Sequence, residues 1–169
     1  MMNQEQVIAY ANGKGFREAS KVAPLYAVSV PAGVELRVQT REGLESLTTT
    51  APTSLCRGLH NRDLWLQLVS KVEKNYDSQG EVSEDDSGQR IEIAYEEAGN
   101  PKTITFGIRK YLPKPNTRLV CQIPEEFEVK TSWSKDPLKG KAGDFLVKAG
   151  DTDYYPLGKD EFDATYKYR

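Results

Sequence analysis

Residues 28–38 read Val28-Ser29-Val30-Pro31-Ala32-Gly33-Val34-Glu35-Leu36-Arg37-Val38. Val34, Leu36 and Val38 alternate with Glu35, Arg37 and Gln39. That two-residue period marks a strand with one face in a core and the other in water. Upstream, Tyr26, Val28 and Val30 keep the same alternation over Leu25 to Val30, and Pro31-Ala32-Gly33 has the composition of a turn between the two runs. The stretch predicts an antiparallel hairpin.

The pattern recurs downstream. Ile91, Ile93 and Tyr95 alternate, Ala98-Gly99-Asn100-Pro101 turns the chain, and Ile104, Phe106 and Ile108 alternate again. Leu119, Cys121 and Ile123 are joined to Phe127, Val129 and Thr131 across Pro124-Glu125-Glu126. Phe145 to Lys148 and Tyr154 to Leu157 flank a Gly150-Asp151-Thr152-Asp153 turn. Thr48-Thr49-Thr50 with Pro52 reads as loop or edge strand, because proline cannot donate to a ladder.

Three segments read as helix. Asn3 caps one over about residues 4–12, ended by Gly13 and Gly15. Asn61 is a good N-cap for a prominent helix to Tyr76, with Leu64, Trp65, Leu68, Val69 and Val72 at helical spacing. Asp160 suits the cap of a last short helix on which Phe162 and Tyr166 share a face. The expected class is α+β: mainly antiparallel β hairpins, one prominent helix and short terminal helices.

Residues 77–89 break the periodicity. They are polar, acidic and rich in Gly and Ser, a composition that buries too little apolar surface to offset its ordering entropy, and they read as a mobile loop. Residues 28–38 and 121–131 echo one another, with proline, glutamate and a basic residue in matching places. The expectation is a single compact domain, 1–169, with two pseudo-repeated halves, 1–76 and 90–169, joined by that acidic loop. Chance matching of a two-residue period is the simpler explanation of the echo.

The 169 residues are 38% hydrophobic and 28% charged, a globular composition. With 23 basic and 25 acidic residues the net charge is −2, which argues against a duplex-binding surface spread over the chain. No apolar run approaches the roughly 20 residues of a membrane span, and Met1 to Gly15 lacks the charged and apolar regions of a secretory signal. The expected compartment is the cytoplasm, with Cys56 and Cys121 as two separate thiols.

Near the C-terminus stand Ala142-Gly143-Asp144-Phe145-Leu146-Val147, then Asp153-Tyr154-Tyr155-Pro156-Leu157, then Phe162 and Tyr166. About the last thirty residues resemble a short module of uncharacterised phage and bacterial proteins, with a core like Pro-Gly-Asp-Tyr-Leu-Val followed by Phe-x-x-x-Tyr. The chain departs from it at Ala142, where proline is usual. The resemblance implies a phage-like or bacterial setting and a terminal hairpin with a helix. Structural reasons account for the string residue by residue: Gly143 for a tight entry, Asp144 for a turn, and Phe145, Phe162 and Tyr166 for packing.

Catalytic patterns are sparse. His60 is the single histidine; paired with Cys56, four residues away, it sits in a segment that Gly58 makes doubtful as helix. Two cysteines and one histidine are too few for a structural zinc site. Asp144, Asp151, Asp153, Asp160 and Asp163 offer oxygen ligands, but Asp is ordinary in turns and no calcium-loop spacing is present. Gly13-Lys14-Gly15 fails the spacing of a phosphate loop. Arg17, Lys21, Arg37 and Arg41 are candidates to gather around an anion.

Trp133 with Lys135, Lys139, Lys141 and Lys148, interleaved with Phe145, is the best candidate for single-stranded nucleic acid. The leading functional expectation is a non-enzymatic binding or accessory protein with a protein partner and no cofactor, such as a phage-encoded host-interaction factor. The alternatives are a small β-rich nucleic-acid or nucleotide binder, and a hydrolase or transferase with a carboxylate site around Asp144 and Asp153.

Overall fold

The computed structural model describes residues 1–40, 43–59 and 63–169. Arg41, His60 and the Asn61 cap lie outside the described residues. In chain order the first elements are α1 (Gln4–Lys14), β1 (Arg17–Lys21), β2 (Leu25–Val30), β3 (Glu35–Thr40), β4 (Gly43–Thr48) and β5 (Thr53–Arg57). Then come β6 (Leu64–Leu68), α2 (Val69–Asn75), β7 (Tyr76–Glu81), β8 (Ile93–Glu97), β9 (Asn100–Ile104) and β10 (Arg109–Pro113). The rest are β11 (Arg118–Gln122), β12 (Phe127–Val129), β13 (Leu138–Gly140), β14 (Phe145–Lys148), β15 (Tyr154–Leu157), α3 (Lys159–Thr165) and β16 (Tyr166–Tyr168). Among the described residues every strand ladder is antiparallel and helices are few and short. The α+β class with dominant antiparallel sheet is therefore the fold.

The chain forms two compact units, Met1–Val22 with Pro115–Arg169, and Ala23–Lys114. The Ala23–Lys114 unit has a five-stranded sheet, β6-β5-β2-β10-β7, and a four-stranded sheet, β4-β3-β8-β9. Tyr26, Val30, Leu55 and Ile108 of the first meet Leu36, Val38, Ile93 and Tyr95 of the second in one buried core. The opposite face of the larger sheet, with Leu25, Ala27 and Cys56, is covered by Val72 of α2 and by Tyr76.

The other unit repeats this layering. Its five-stranded sheet is β15-β14-β11-β1-β16. One face, with Val120, Phe145, Val147 and Leu157, is covered by Phe162 of α3. The other, with Cys121, Leu146 and Tyr154, is covered by Val7 and Ala11 of α1 and by Phe127 and Val129 of the β12-β13 ribbon. Phe127 lies opposite Gly140 across that ribbon, and a methyl group on Gly140 would collide with the phenyl ring.

The two large sheets share one connectivity. In each, the central strand (β2 or β11) has a hairpin on one side (β5-β6 or β14-β15), then a seven-residue helix (α2 or α3) leads without a break into the far edge strand (β7 or β16). The buried helix residue and the following tyrosine keep the same spacing: Val72 with Tyr76, Phe162 with Tyr166. The fourth strand of each sheet, β1 or β10, comes from just upstream of the other unit's central strand.

Several sequence expectations are corrected. Residues 28–38 are not a hairpin. β2 pairs with β5 and β10, whereas β3 pairs with β4 and β8 in the other sheet. Pro31-Ala32-Gly33 is a corner between sheets, and Thr49 supplies its polar partners: its carbonyl accepts from Gly33 N–H (2.7 Å), and its hydroxyl accepts from Val34 N–H (2.9 Å) and donates to the Pro31 carbonyl (2.8 Å). The Pro124 segment does the same, with β11 in the five-stranded sheet and β12 in the ribbon. Both changes of direction look like hairpin turns in sequence, because alternation reports burial and not the partner strand.

The prominent helix expected over 61–76 is not formed. Leu64–Leu68 is a strand pairing with β5, and only Val69–Asn75 is helical. Leu64, Leu66 and Leu68 also fit a two-residue period, and the open side of β5 selects it; tertiary pairing overrides the helical spacing. Asp160 lies inside α3, whose N-cap is Gly158. Phe106 is 82% exposed beyond the end of β9, so the expected strand through Ile104, Phe106 and Ile108 breaks there.

Residues 77–81, expected in a loop, belong to β7, and the acidic stretch beyond them is tethered by a buried charge. The Asp85 carboxylate meets the Arg57 guanidinium at 3.0 Å, with the two side chains 4% and 0% exposed. Asp85 also accepts from the Ser87 hydroxyl (2.5 Å), Ser87 N–H (2.9 Å) and Gln89 N–H (3.0 Å). Beside it, the Tyr26 hydroxyl donates to Asp86 (3.0 Å) and accepts from Asp86 N–H (2.9 Å). Polar residues thus order this loop where apolar anchors are lacking.

The Ser87 hydroxyl, then Arg57 and the loop amides, hold the Asp85 carboxyl down to about 2, against the opposing effect of burial. A depressed folded value means stabilisation that is full above the unfolded value, about 4, and is lost as pH falls through the folded one. The urea midpoint is expected to drop between about pH 4 and pH 2, and Asp85→Asn to flatten that drop; an equal slope in the variant would refute the assignment. Arg57→Leu leaves a buried unpaired carboxylate and is expected to cost about 3–5 kcal/mol in denaturant titration. Phe162→Ala removes a ring stacked 4.0 Å from Phe145 and is expected to cost a similar amount, about 3–5 kcal/mol.

Candidate functional site

The site is built on the turn Lys141-Ala142-Gly143-Asp144. Asp144 N–H closes it on the Lys141 carbonyl at 3.0 Å, and Gly143 has φ +93°, which only glycine adopts freely. This is type II geometry with Ala142 at the second position, where proline is favoured. The proline usual in the resembling module would occupy that position.

Asp144 ties this turn to two distant elements. One carboxylate oxygen accepts from Lys141 N–H (2.8 Å), the other from Lys159 N–H (2.9 Å). Lys159 is the first residue of α3, so Asp144 does from fifteen residues upstream what an N-cap side chain does locally. The turn is also stitched to the end of β11: Gly143 N–H donates to Ile123 (2.7 Å), Ile123 N–H to Asp144 (2.9 Å), and the Gln122 side-chain amide to Gly143 (2.9 Å).

The second wall comes from α1. Its N-terminus is fixed by a reciprocal capping box between Asn3 and Gln6, and Val7 and Ala11 bury its apolar side. Tyr10 and Lys14, at i and i+4, share another side. Gly15, φ +97°, ends the helix and sends the chain into β1 at Arg17. The Arg17 guanidinium lies 3.6 Å above the centre of the Tyr168 ring.

Between these walls runs a groove of about 530 Å³, lined by Tyr10, Lys14, Gly15, Arg17, Tyr168, residues 120–124 and the Ala142-Gly143 corner. Among the described residues its lining holds two cations and no carboxylate. The unit that contains it has equal numbers of acidic and basic side chains, so the groove is a local concentration of positive charge. Burial pushes the Cys121 thiol up, with the Lys14 charge opposing.

The nucleic-acid candidates do not form one surface. Trp133 is 61% exposed and meets Tyr155 edge-on at 5.8 Å, on the α3 side of the sheet. Lys148 lies 5.9 Å over Phe16, on the α1 side. Phe145 is buried in the α3 core and has no free face to stack on a base. Lys135 is exposed in the Trp133 loop, Lys139 is in β13, and Lys141 contributes its backbone to the turn. Gly143, Asp144, Phe145, Phe162 and Tyr166 all lie in the turn, hairpin and helix just described.

Of the basic residues considered around an anion, Arg17 lines the groove, Lys21 is in β1, and Arg37 faces Glu96 (3.8 Å) in the other unit. Tyr10, Gln122 and Tyr168 are not among the sequence candidates, and Lys14 enters there only in the Gly13-Lys14-Gly15 stretch that fails as a phosphate loop. The i, i+4 spacing of Tyr10 and Lys14 is visible there, but the approach of Gln122 and Tyr168 depends on sheet order. Among the described residues no group of three or more His, Cys, Asp or Glu side chains is placed to hold a metal ion, and no helix is long and apolar enough to cross a membrane. Compared with family models, curated proteins and solved structures, the chain has no match.

Two substitutions in the turn should act in opposite directions. Asp144→Ala removes the acceptor for Lys159 and Lys141 and is expected to cost about 1–2 kcal/mol in urea unfolding. Ala142→Pro pre-sets the turn and is expected to add about 0.4–1 kcal/mol. A destabilising proline would show that the turn is not of this type.

Proposed function

We propose that this chain is a non-enzymatic binding protein and that the groove beside residues 141–144 seats its ligand. The observation that carries this reading is the composition of the groove: two cations, two tyrosines and exposed backbone around about 530 Å³, within the usual range of small-ligand sites. The resemblance of the last thirty residues to a module of phage and bacterial proteins supports a phage-like or bacterial setting and an accessory, host-interaction role. The shared connectivity of the two large sheets supports a duplicated unit, with the groove on one copy. A second reading, a single-strand nucleic-acid binder, is favoured only by exposed Trp133 with Lys135 in its loop.

The test is a two-dimensional amide NMR titration with pooled metabolites of differing charge. Expected shifts fall on Gly15, Gln122 and Gly143, and the ligand is recovered chemically unchanged. Shifts confined to the Trp133 loop favour the second reading; conversion of the bound compound overturns the non-enzymatic one.

A further inference from the structure

We infer that the groove takes a phosphomonoester, its phosphate held between Lys14 and Arg17; this rests on the groove being the binding site. The first argument is charge. Among the described residues neither cation has an acidic partner, and no carboxylate lines the groove. Two uncompensated cations match a phosphomonoester, which carries about −1.5 to −2 at pH 7, better than a carboxylate carrying −1. A polyanion such as nucleic acid needs a longer track of cations than this pair provides.

The second argument is the contrast between the units. Arg17 pairs in register with Val120 on the α3-covered side of its sheet, and Arg109 pairs with Ala27 on the α2-covered side of the other. Arg109 has Glu81 opposite it on the edge strand. Arg17 instead has an aromatic ring beneath it, from Tyr168 of the edge strand. At matched positions, then, Arg109 has an acidic residue as its register partner on the edge strand, whereas the Arg17 guanidinium has an aromatic ring and, among the described residues, no carboxylate beside it.

The third argument is geometry. The centre of the Tyr168 ring lies 3.6 Å from the guanidinium carbon of Arg17, and a guanidinium can give two parallel N–H bonds to phosphate oxygens. Lys14, in the last turn of α1, lines the same groove and adds a second point charge to it. Tyr10 and the remaining volume leave room for the organic group that carries the phosphate.

Calorimetry on the full chain at low ionic strength tests this with inorganic phosphate, phosphoserine, a nucleoside 5′-monophosphate, the parent nucleoside and acetate. Phosphate-bearing probes are expected to bind at least about tenfold tighter than nucleoside or acetate, and more tightly at pH 7.5 than at pH 5, because the second phosphate ionisation lies near 6. Arg17→Gln and Lys14→Gln are each expected to weaken phosphate binding about tenfold or more, the worth of one charge-assisted hydrogen bond. Their amide spectra should otherwise match the parent's, and Arg17→Lys should recover only part of the loss. Tighter phosphoserine marks a phosphorylated side chain as the source, and tighter nucleotide a free metabolite; both uphold the phosphate seat. If nucleoside binds as well as nucleotide, or both Gln variants bind phosphate like the parent, the phosphate assignment falls while the groove stands. If no probe moves Gly15, Gln122 or Gly143, both fall.

Discussion

Each five-stranded sheet in this chain is apolar on both faces, and that constraint organises everything around it. A sheet with two buried faces needs two covers. In each unit a short helix closes one side, while a smaller sheet, joined in one case by α1, closes the other. The corners at Pro31 and Pro124 follow from this need, since the central strand must hand the chain on to the covering sheet. The helices α2 and α3 are seven residues long, too short to persist in water alone. They hold because Val72 and Phe162 are buried against sheet residues.

Polar groups then complete what the apolar layers leave open. Thr49 satisfies one corner, Asp144 joins a turn to a helix start, and Asp85 locks an acidic loop onto Arg57. Asp85 accepts backbone N–H groups of its own loop, and Asp144 accepts one at the start of α3 from fifteen residues upstream. The cationic groove differs from these sites in kind. Its charges meet no acidic partner among the described residues, although aspartates elsewhere meet theirs with good geometry.

Sequence alone gave access to faces more readily than to partners. The alternation of Tyr26, Val28 and Val30, and the shared side of Phe162 and Tyr166, correspond to actual packing surfaces. What stayed illegible was which strand lies beside which. Residues 64–68 satisfy a helical and a two-residue period at once, and only the unpaired side of β5 decides between them. Asp85 read as one charge in a soluble acidic run because nothing local announces Arg57, twenty-eight residues earlier. The groove was hidden for the same reason: Lys14 and Arg17 are near in sequence, but Tyr168 and Gly143 reach them only through the order of the sheet.

That sheet order also bears on the sequence of events during synthesis. Residues 23–114 form one unit nested inside the other, whose two parts flank it along the chain. β1 leaves the ribosome early, but its ladder partners β11 and β16 follow only after the whole nested unit has been made. The nested unit can close its sheet as soon as β10 emerges, whereas β1 waits unpaired with an exposed edge. The groove is therefore assembled only after the nested unit, when Tyr168 arrives beside Arg17, and any ligand it holds can bind only once that strand is in place.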